Sequence, residues 1–298
     1  FCSINGPLTA PLSPSLDELD ATLNFVVCPP VSANVDFIVT VNPGKLVRET
    51  SYANNGGLLL DRIFQCRDIV ELAYVPIDYT PGGGQPPAWM IEPGIGDNFL
   101  RGIYAADEWN YHIAPIPPLL WTQNINSSNN SLLNTLSDIR ANMVPAAGYP
   151  KPDFIYGWLP GNPYSGNGQA NGIPGDAAFG NTEFSRFQRT FAHEVGHLIG
   201  RSHNSYTIEV VGIDVEHHLL DTENIPQLQP ANKKDVMWAG QMTESAWVVA
   251  GTYNKFLSDN RVQCEGGVAD AGEGAAAPVN DLVLRISGEI MHEERRLQ

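Results

Sequence analysis

The spacing of apolar residues changes along the chain, and each change marks an element. Near the N-terminus the period is two. Asn34–Val35–Asp36–Phe37–Ile38–Val39–Thr40–Val41 is dense in β-branched residues and ends in the turn residues Asn42–Pro43–Gly44, so it reads as a strand. Leu23 to Val27, closed by Pro29–Pro30, reads as another. Leu72–Ala73–Tyr74–Val75–Pro76–Ile77 and Phe154–Ile155–Tyr156–Gly157–Trp158 are further strands. Helical spacing takes over in four places. From Asp97 to Asn110, Phe99, Ile103 and Ala106 share a face behind Asp97 as cap. From Ser131 to Met143, Leu132, Leu133, Leu136, Ile139 and Met143 line up. From Thr182 to Gly200 the stripe is Phe184, Phe187, Phe191, Val195, Leu198 and Ile199, with Gly200 as the stop. From Thr243 to Ser258 it is Ala246, Val249, Ala250, Tyr253 and Leu257. A long loop rich in Gly, Asn and Pro runs from Pro160 to Asn181, and a loop of that length usually carries function. Within it, Ala177–Ala178–Phe179–Gly180 reads as a short edge strand.

This mixture of strands and helices predicts an α+β protein in three parts. Residues 1–70 form a β-rich N-terminal module or extension, and residues 71–264 the main domain. Residues 265–298 form a Gly/Ala-rich linker, after which Asp281 to Ile290 alternates like the first strand of a new β module. The expectation is therefore a piece of a longer parent chain with additional domains.

Composition narrows the setting. Hydrophobic residues make up 43% and charged residues 17%, a globular balance. No apolar run approaches the roughly 18–20 residues needed to span a bilayer, so no membrane-spanning segment is expected. The net charge of −16 repels nucleic acid, which is excluded as a partner, and anionic membranes. Acidic loops also raise Ca2+ as a second metal, with Asp176, Asp214 and Glu216 as candidates, although EF-hand spacing is absent. Four cysteines, Cys2, Cys28, Cys66 and Cys264, include no C-x-x-C pair. Their even number fits two disulfides in an oxidising compartment, hence a secreted or cell-surface protein. Buried free thiols, or one thiolate that blocks a metal site, are the alternatives.

The run His193–Glu194–Val195–Gly196–His197–Leu198–Ile199–Gly200–Arg201–Ser202–His203 changes the picture most. Two histidines four apart on a helix sit on one face, one turn apart, where both imidazoles can reach one cation. Glu194 is rotated off that face and can reach a water on the metal without ligating it. Gly200 allows a sharp turn that returns His203 as a third ligand. Three protein ligands leave a fourth position open, the mark of a catalytic zinc site rather than a structural one. Zinc would acidify its water toward pH ~7, and Glu194 would take the proton and deliver it to the leaving amine. Because ligation needs neutral imidazoles, metal affinity should fall below about pH 6.

The eleven-residue run resembles the zinc signature of the metzincin clan of metallopeptidases, H-E-x-x-H-x-x-G-x-x-H. That clan also places a methionine in a tight turn beneath the zinc. Asp235–Val236–Met237–Trp238–Ala239–Gly240 looks like that turn, with Met237 34 residues after His203. Where some subfamilies carry a tyrosine two residues past the methionine, Ala239 stands here. The resemblance covers roughly residues 70 to 264. It implies a two-subdomain fold, with a twisted sheet, an active-site helix and a C-terminal helix closing the cleft. It implies zinc-dependent hydrolysis of protein or peptide substrates, held antiparallel on an edge strand for which Ala177 to Gly180 is the candidate. A zinc-holding pseudoenzyme and a small-molecule zinc amidase are the rival readings, and retention of Glu194 argues against the first. His217 and His218 could line a subsite or hold a second metal, but ordinary loop histidines are the commoner case. Asn126–Ser127–Ser128 and Asn129–Asn130–Ser131 match N-glycosylation acceptors.

Overall fold

A computed structural model gives an α+β architecture built on a mostly parallel sheet. It describes residues 2–3, 23–27, 34–53, 55–63, 67–104, 106, 108–143, 150–208, 212–214, 227–229, 233–239, 246–263 and 282–286. The chain divides into two compact units, Phe1–Cys66 with Cys264–Gln298, and Arg67–Gln263. In the first unit, β1 (Cys2–Ser3) pairs antiparallel with β2 (Leu23–Val27), and β3 (Asn34–Thr40) pairs antiparallel with β4 (Gly56–Ile63). The alternating segment expected to open a further module instead contributes Leu282–Ile286 to this unit, antiparallel to β2.

The second unit carries the chemistry. Its elements run β5 (Val70–Tyr79), α1 (Ala88–Ile91), α2 (Asn98–Ile103), β6 (Trp109–Ile113), β7 (Leu119–Trp121), α3 (Ile125–Asn142), β8 (Phe154–Leu159), β9 (Gly168–Ala170), β10 (Ala177–Asn181) and α4 (Phe187–Leu198). Two short ribbons follow, β11 (Gly212–Asp214) with β12 (Gln227–Gln229), and β13 (Lys234–Asp235) with β14 (Ala246–Trp247), before α5 (Ala250–Leu257). The sheet order is β6-β5-β8-β10-β9, with β7 also on β5; every pairing is parallel except β9 on β10.

Strand periodicity explains the layers. Every residue of β8 is buried, as expected for a strand covered on both faces. Phe154, Tyr156 and Trp158 join a core with Phe187, Phe191 and Val195 of α4, while Ile155 and Leu159 join a second core with Leu132, Leu133 and Leu136 of α3. The sheet therefore lies between α4 and α3. Among the described residues no helix is long and apolar enough to cross a membrane.

Several expected boundaries shift, each for a visible reason. The helix expected from Asp97 to Asn110 ends at Ile103, and Trp109–Ile113 is strand β6, because Trp109 and Tyr111 alternate into the core. α3 starts at Ile125, capped by the Asn124 side chain, which accepts from Asn126 N at 2.9 Å. Its first turns are polar, which hid them. Phe184 is 60% exposed and outside α4, so the helical stripe begins at Phe187. The last helix begins at Ala250, since Ala246 and Trp247 are used in β14. The largest correction concerns the edge strand. Ala177–Asn181 is interior, held between β8 and β9 and buried at all five residues; the edge is β9, Gly168–Ala170.

Candidate metal centre

α4 ends where the metal run needs it to. Gly200 adopts φ 89°, its N–H donates to His197 O at 2.8 Å, and Arg201 N–H donates to Gly196 O at 2.9 Å. This is the left-handed glycine stop that turns the chain back over the helix end. His203 arrives by that turn. Its segment is tied down where Asn204 N–H donates to Met237 O and Ala239 N–H donates to Asn204 O, both at 2.9 Å.

The three imidazoles converge. Nε2 of His203 lies 3.0 Å from Nε2 of His193 and 3.1 Å from Nε2 of His197. The far nitrogens are committed to main-chain carbonyls: His193 Nδ1 is 2.7 Å from Val236 O, and His197 Nδ1 is 2.7 Å from Arg201 O. A carbonyl only accepts, so both Nδ1 atoms carry the proton and both Nε2 lone pairs face inward. Three ring nitrogens gathered at this range could hold one metal ion. Nitrogens held ~2.0–2.1 Å from a tetrahedral ion sit about 3.3–3.4 Å apart. The two separations from His203 come within a few tenths of an ångström of that, and among the described residues this is the only group of three such ligands.

Burial sets the electrostatics. His193 is held down to about 3, by burial first and then by its neighbours His197 and His203, against the Val236 carbonyl. His197 is also lowered by burial and by His203, against the Arg201 carbonyl. Both are thereby biased toward the neutral, ligating form. Glu194, 5% exposed, is pushed up to about 8 by burial, and the main-chain N–H of Ala170 opposes that shift. A dication held by the trio would draw it back down.

Glu194 shares a cleft of about 550 Å3 with the three histidines, Trp238 and strand β9. β9 lies along this cleft as the last strand of the sheet. Antiparallel ladders alternate the direction of their main-chain groups. Asn171 N–H bonds Ala177 O and Asn181 N–H bonds Asn167 O, so the groups of Gly168 and Ala170 point away from β10.

Met237 is fully buried in a turn closed by Trp238 N–H donating to Asp235 O at 3.0 Å. A side chain built on Gly196 would put its Cβ 2.2 Å from Met237 Sδ, so the sulfur rests on the bare stretch of α4 between His193 and His197. Sequence reasoning missed what supports this turn. Asp235 is fully buried and accepts from Thr252 Oγ1 at 2.6 Å, from Val249 N–H at 3.1 Å and from Asn204 Nδ2. Arg201 Nε donates to Thr252 Oγ1 at 3.0 Å, which joins the α4 stop, the Met237 turn and α5. An Asp two residues before a lone Met was its one sequence signal.

Other candidates lie elsewhere. Asp176 is committed to Arg140 at 3.0 Å, Ser137 at 3.0 Å and Asn171 at 2.6 Å, so its carboxylate is engaged by protein donors and is not arranged as a calcium ligand. Asp214 lies in β11. His217, His218 and Glu216 fall outside the described residues, as do Cys28, Cys66 and Cys264 and with them the expected disulfides. Both glycosylation motifs lie on α3, where Asn126 accepts from Ser165 N–H at 2.9 Å and Asn129 donates to Gln169 at 2.7 Å. No protein-family model matches the chain, and no curated protein matches it.

Proposed function

We propose that this chain is a zinc-dependent endopeptidase of the metzincin type, addressed to protein or peptide substrates outside the cell. The observation that carries the reading is the convergence of His193, His197 and His203 through Nε2 beside Glu194, in one cleft, along an edge strand. Three imidazoles with no thiolate or carboxylate among them suit zinc, which when bound supplies Lewis acidity toward a carbonyl and toward water. Among the described residues Glu194 is the only carboxylate lining the cleft. Its role is to accept a proton from the attacking water and return it to the leaving amine.

The outward-facing main chain of Gly168 and the Ala170 carbonyl support a polypeptide substrate, because an extended chain can add there as a further antiparallel strand, while the Ala170 N–H serves the Glu194 carboxylate. A small-molecule amidase would have no use for such an edge. Met237 serves beneath the trio as packing that fixes the α4 face. The even number of cysteines supports an extracellular setting. Residues 1–70 and 265–298, outside the resemblance, are proposed as accessory to the main domain.

The test is casein or gelatin proteolysis by the wild type and by Glu194→Ala, each with its zinc content measured. Full zinc in both, with activity lost by ~10²-fold or more in the variant, establishes general-base catalysis. Full zinc with no activity in either selects a pseudoenzyme or a blocked form. A wild type that takes up no zinc removes the site.

A further inference from the structure

The floor of the cleft carries a feature that the metal run does not explain. Gly168 on β9 stands directly opposite Gly180 on β10, so the sheet face toward α4 lacks two neighbouring side chains. Both vacancies are filled from outside the pair. A Cβ on Gly168 would lie 2.8 Å from both Cγ and Oε1 of Glu194, and 2.9 Å from Phe179 O. A Cβ on Gly180 would lie 2.0 Å from the Tyr156 hydroxyl and 3.1 Å from Thr190 Cγ2. Neither glycine has a positive φ, so what their positions demand is space and not an unusual backbone.

We propose that Gly168 is a positioning residue for the proposed reaction: the vacancy it leaves in the edge strand is the socket that fixes the Glu194 carboxylate beside the three histidines. The edge strand then has two duties. Its main chain faces the cleft, where Gly168 can meet substrate and the Ala170 N–H reaches the Glu194 carboxylate, and its missing side chain makes room for the base. A carboxylate on a flexible stem must otherwise be oriented by other contacts, and displacement of a catalytic group by about 1 Å can cost about 10²-fold in rate. This inference rests on the endopeptidase reading for its rate effect, but the packing that carries it does not.

The test is a double-mutant cycle with Gly168→Ala and Glu194→Ala, on stability and on rate. If the socket holds the glutamate, Gly168→Ala should lower Tm by several degrees in the wild type and by less than half as much in the Glu194→Ala protein. In the active enzyme, Gly168→Ala should lower kcat by about 10–10²-fold with KM changed less than about threefold and metal content unchanged. If Gly168→Ala alone does not fold, a double variant that does fold gives the same support. Equal Tm losses in both backgrounds, or failure of both to fold, would show that only the Phe179 carbonyl excludes the methyl, and would overturn the proposal. An unchanged kcat in a folded Gly168→Ala protein overturns it as well. A wild type without proteolysis defeats the endopeptidase reading while leaving the stability cycle to decide the socket.

Discussion

The burial of Glu194 predicts a pH-dependent stability that can be isolated by one isosteric change. Consider Glu194→Gln and the wild type, both stripped of metal. In the folded wild type the carboxyl holds its proton up to about 8, against an ordinary value of 4.5. Between those two values the folded state keeps a proton that the unfolded chain has released. The contribution is therefore fully present below pH 4.5 and is lost as pH rises through about 8. The shift of three to four pH units corresponds to about 5 kcal/mol at ~1.36 kcal/mol per unit, an upper bound because solvent penetration relaxes such sites. Glutamine has no proton to lose and keeps this contribution at every pH. The stability of Glu194→Gln minus that of the wild type should thus be small at pH 4.5 and grow to several kcal/mol at pH 8. Other titrating groups are common to both proteins and cancel in the difference. Urea unfolding in chelator at half-unit pH steps, followed by the fluorescence of the six tryptophans, measures it directly. Saturating zinc should flatten the difference, since a nearby dication stabilises the carboxylate. Parallel curves for the two metal-free proteins would refute the claim that Glu194 is buried without compensating charge.

Four further outcomes are expected. Gly196→Ala gains about 1 kcal/mol of helix propensity but drives a methyl into Met237 Sδ and the Tyr104 hydroxyl, at 2.2 and 2.8 Å. Overpacking of about 1–3 kcal/mol should win, giving a lower Tm and weaker zinc binding in a chelator competition. His203→Ala removes a converging ligand and should weaken zinc by more than the roughly 10–100-fold cost of losing an outer partner. Asp235→Ala strands the donors of Thr252, Val249 and Asn204 and should cost about 3 kcal/mol or more in urea unfolding, whereas Asp235→Asn should cost less. Finally, His193 and His197 are both held below the ordinary histidine range, so protons compete poorly for two of the three ligands. Zinc should therefore survive dialysis at about pH 6, where ordinary histidines would begin to lose it, and release at or above that pH would contradict this.

The metal run was legible because its information is local. Spacing of four on a helix, a glycine stop and a return by three residues specify the geometry with no distant partner, and the structure brings the three imidazoles together accordingly. What lies around the run was less legible, because it depends on pairing. Ala177–Asn181 is a short apolar run, and its position in the sheet is decided by the partner on its far side, the three-residue strand Gly168–Ala170. That partner has no alternation and almost no side chain to announce it. The same logic hid β6, since Phe99 and Ile103 at helical spacing run directly into Trp109 and Tyr111 at strand spacing, with nothing but a short loop to separate them. Met237 was visible as a methionine in a turn, yet the residue it depends on is Gly196, inside the metal run itself, where only the vacancy left by the absent side chain admits the sulfur. Glycines at 168, 180 and 196 thus matter through the volume they leave to others. A sequence shows where a side chain is missing and does not show what enters the space, and at this cleft what enters is the glutamate, a buried tyrosine and the methionine. The socket for Glu194 therefore belongs to the sheet edge and not to the helix that bears it, so the edge strand is where changes should act on catalysis without touching a ligand.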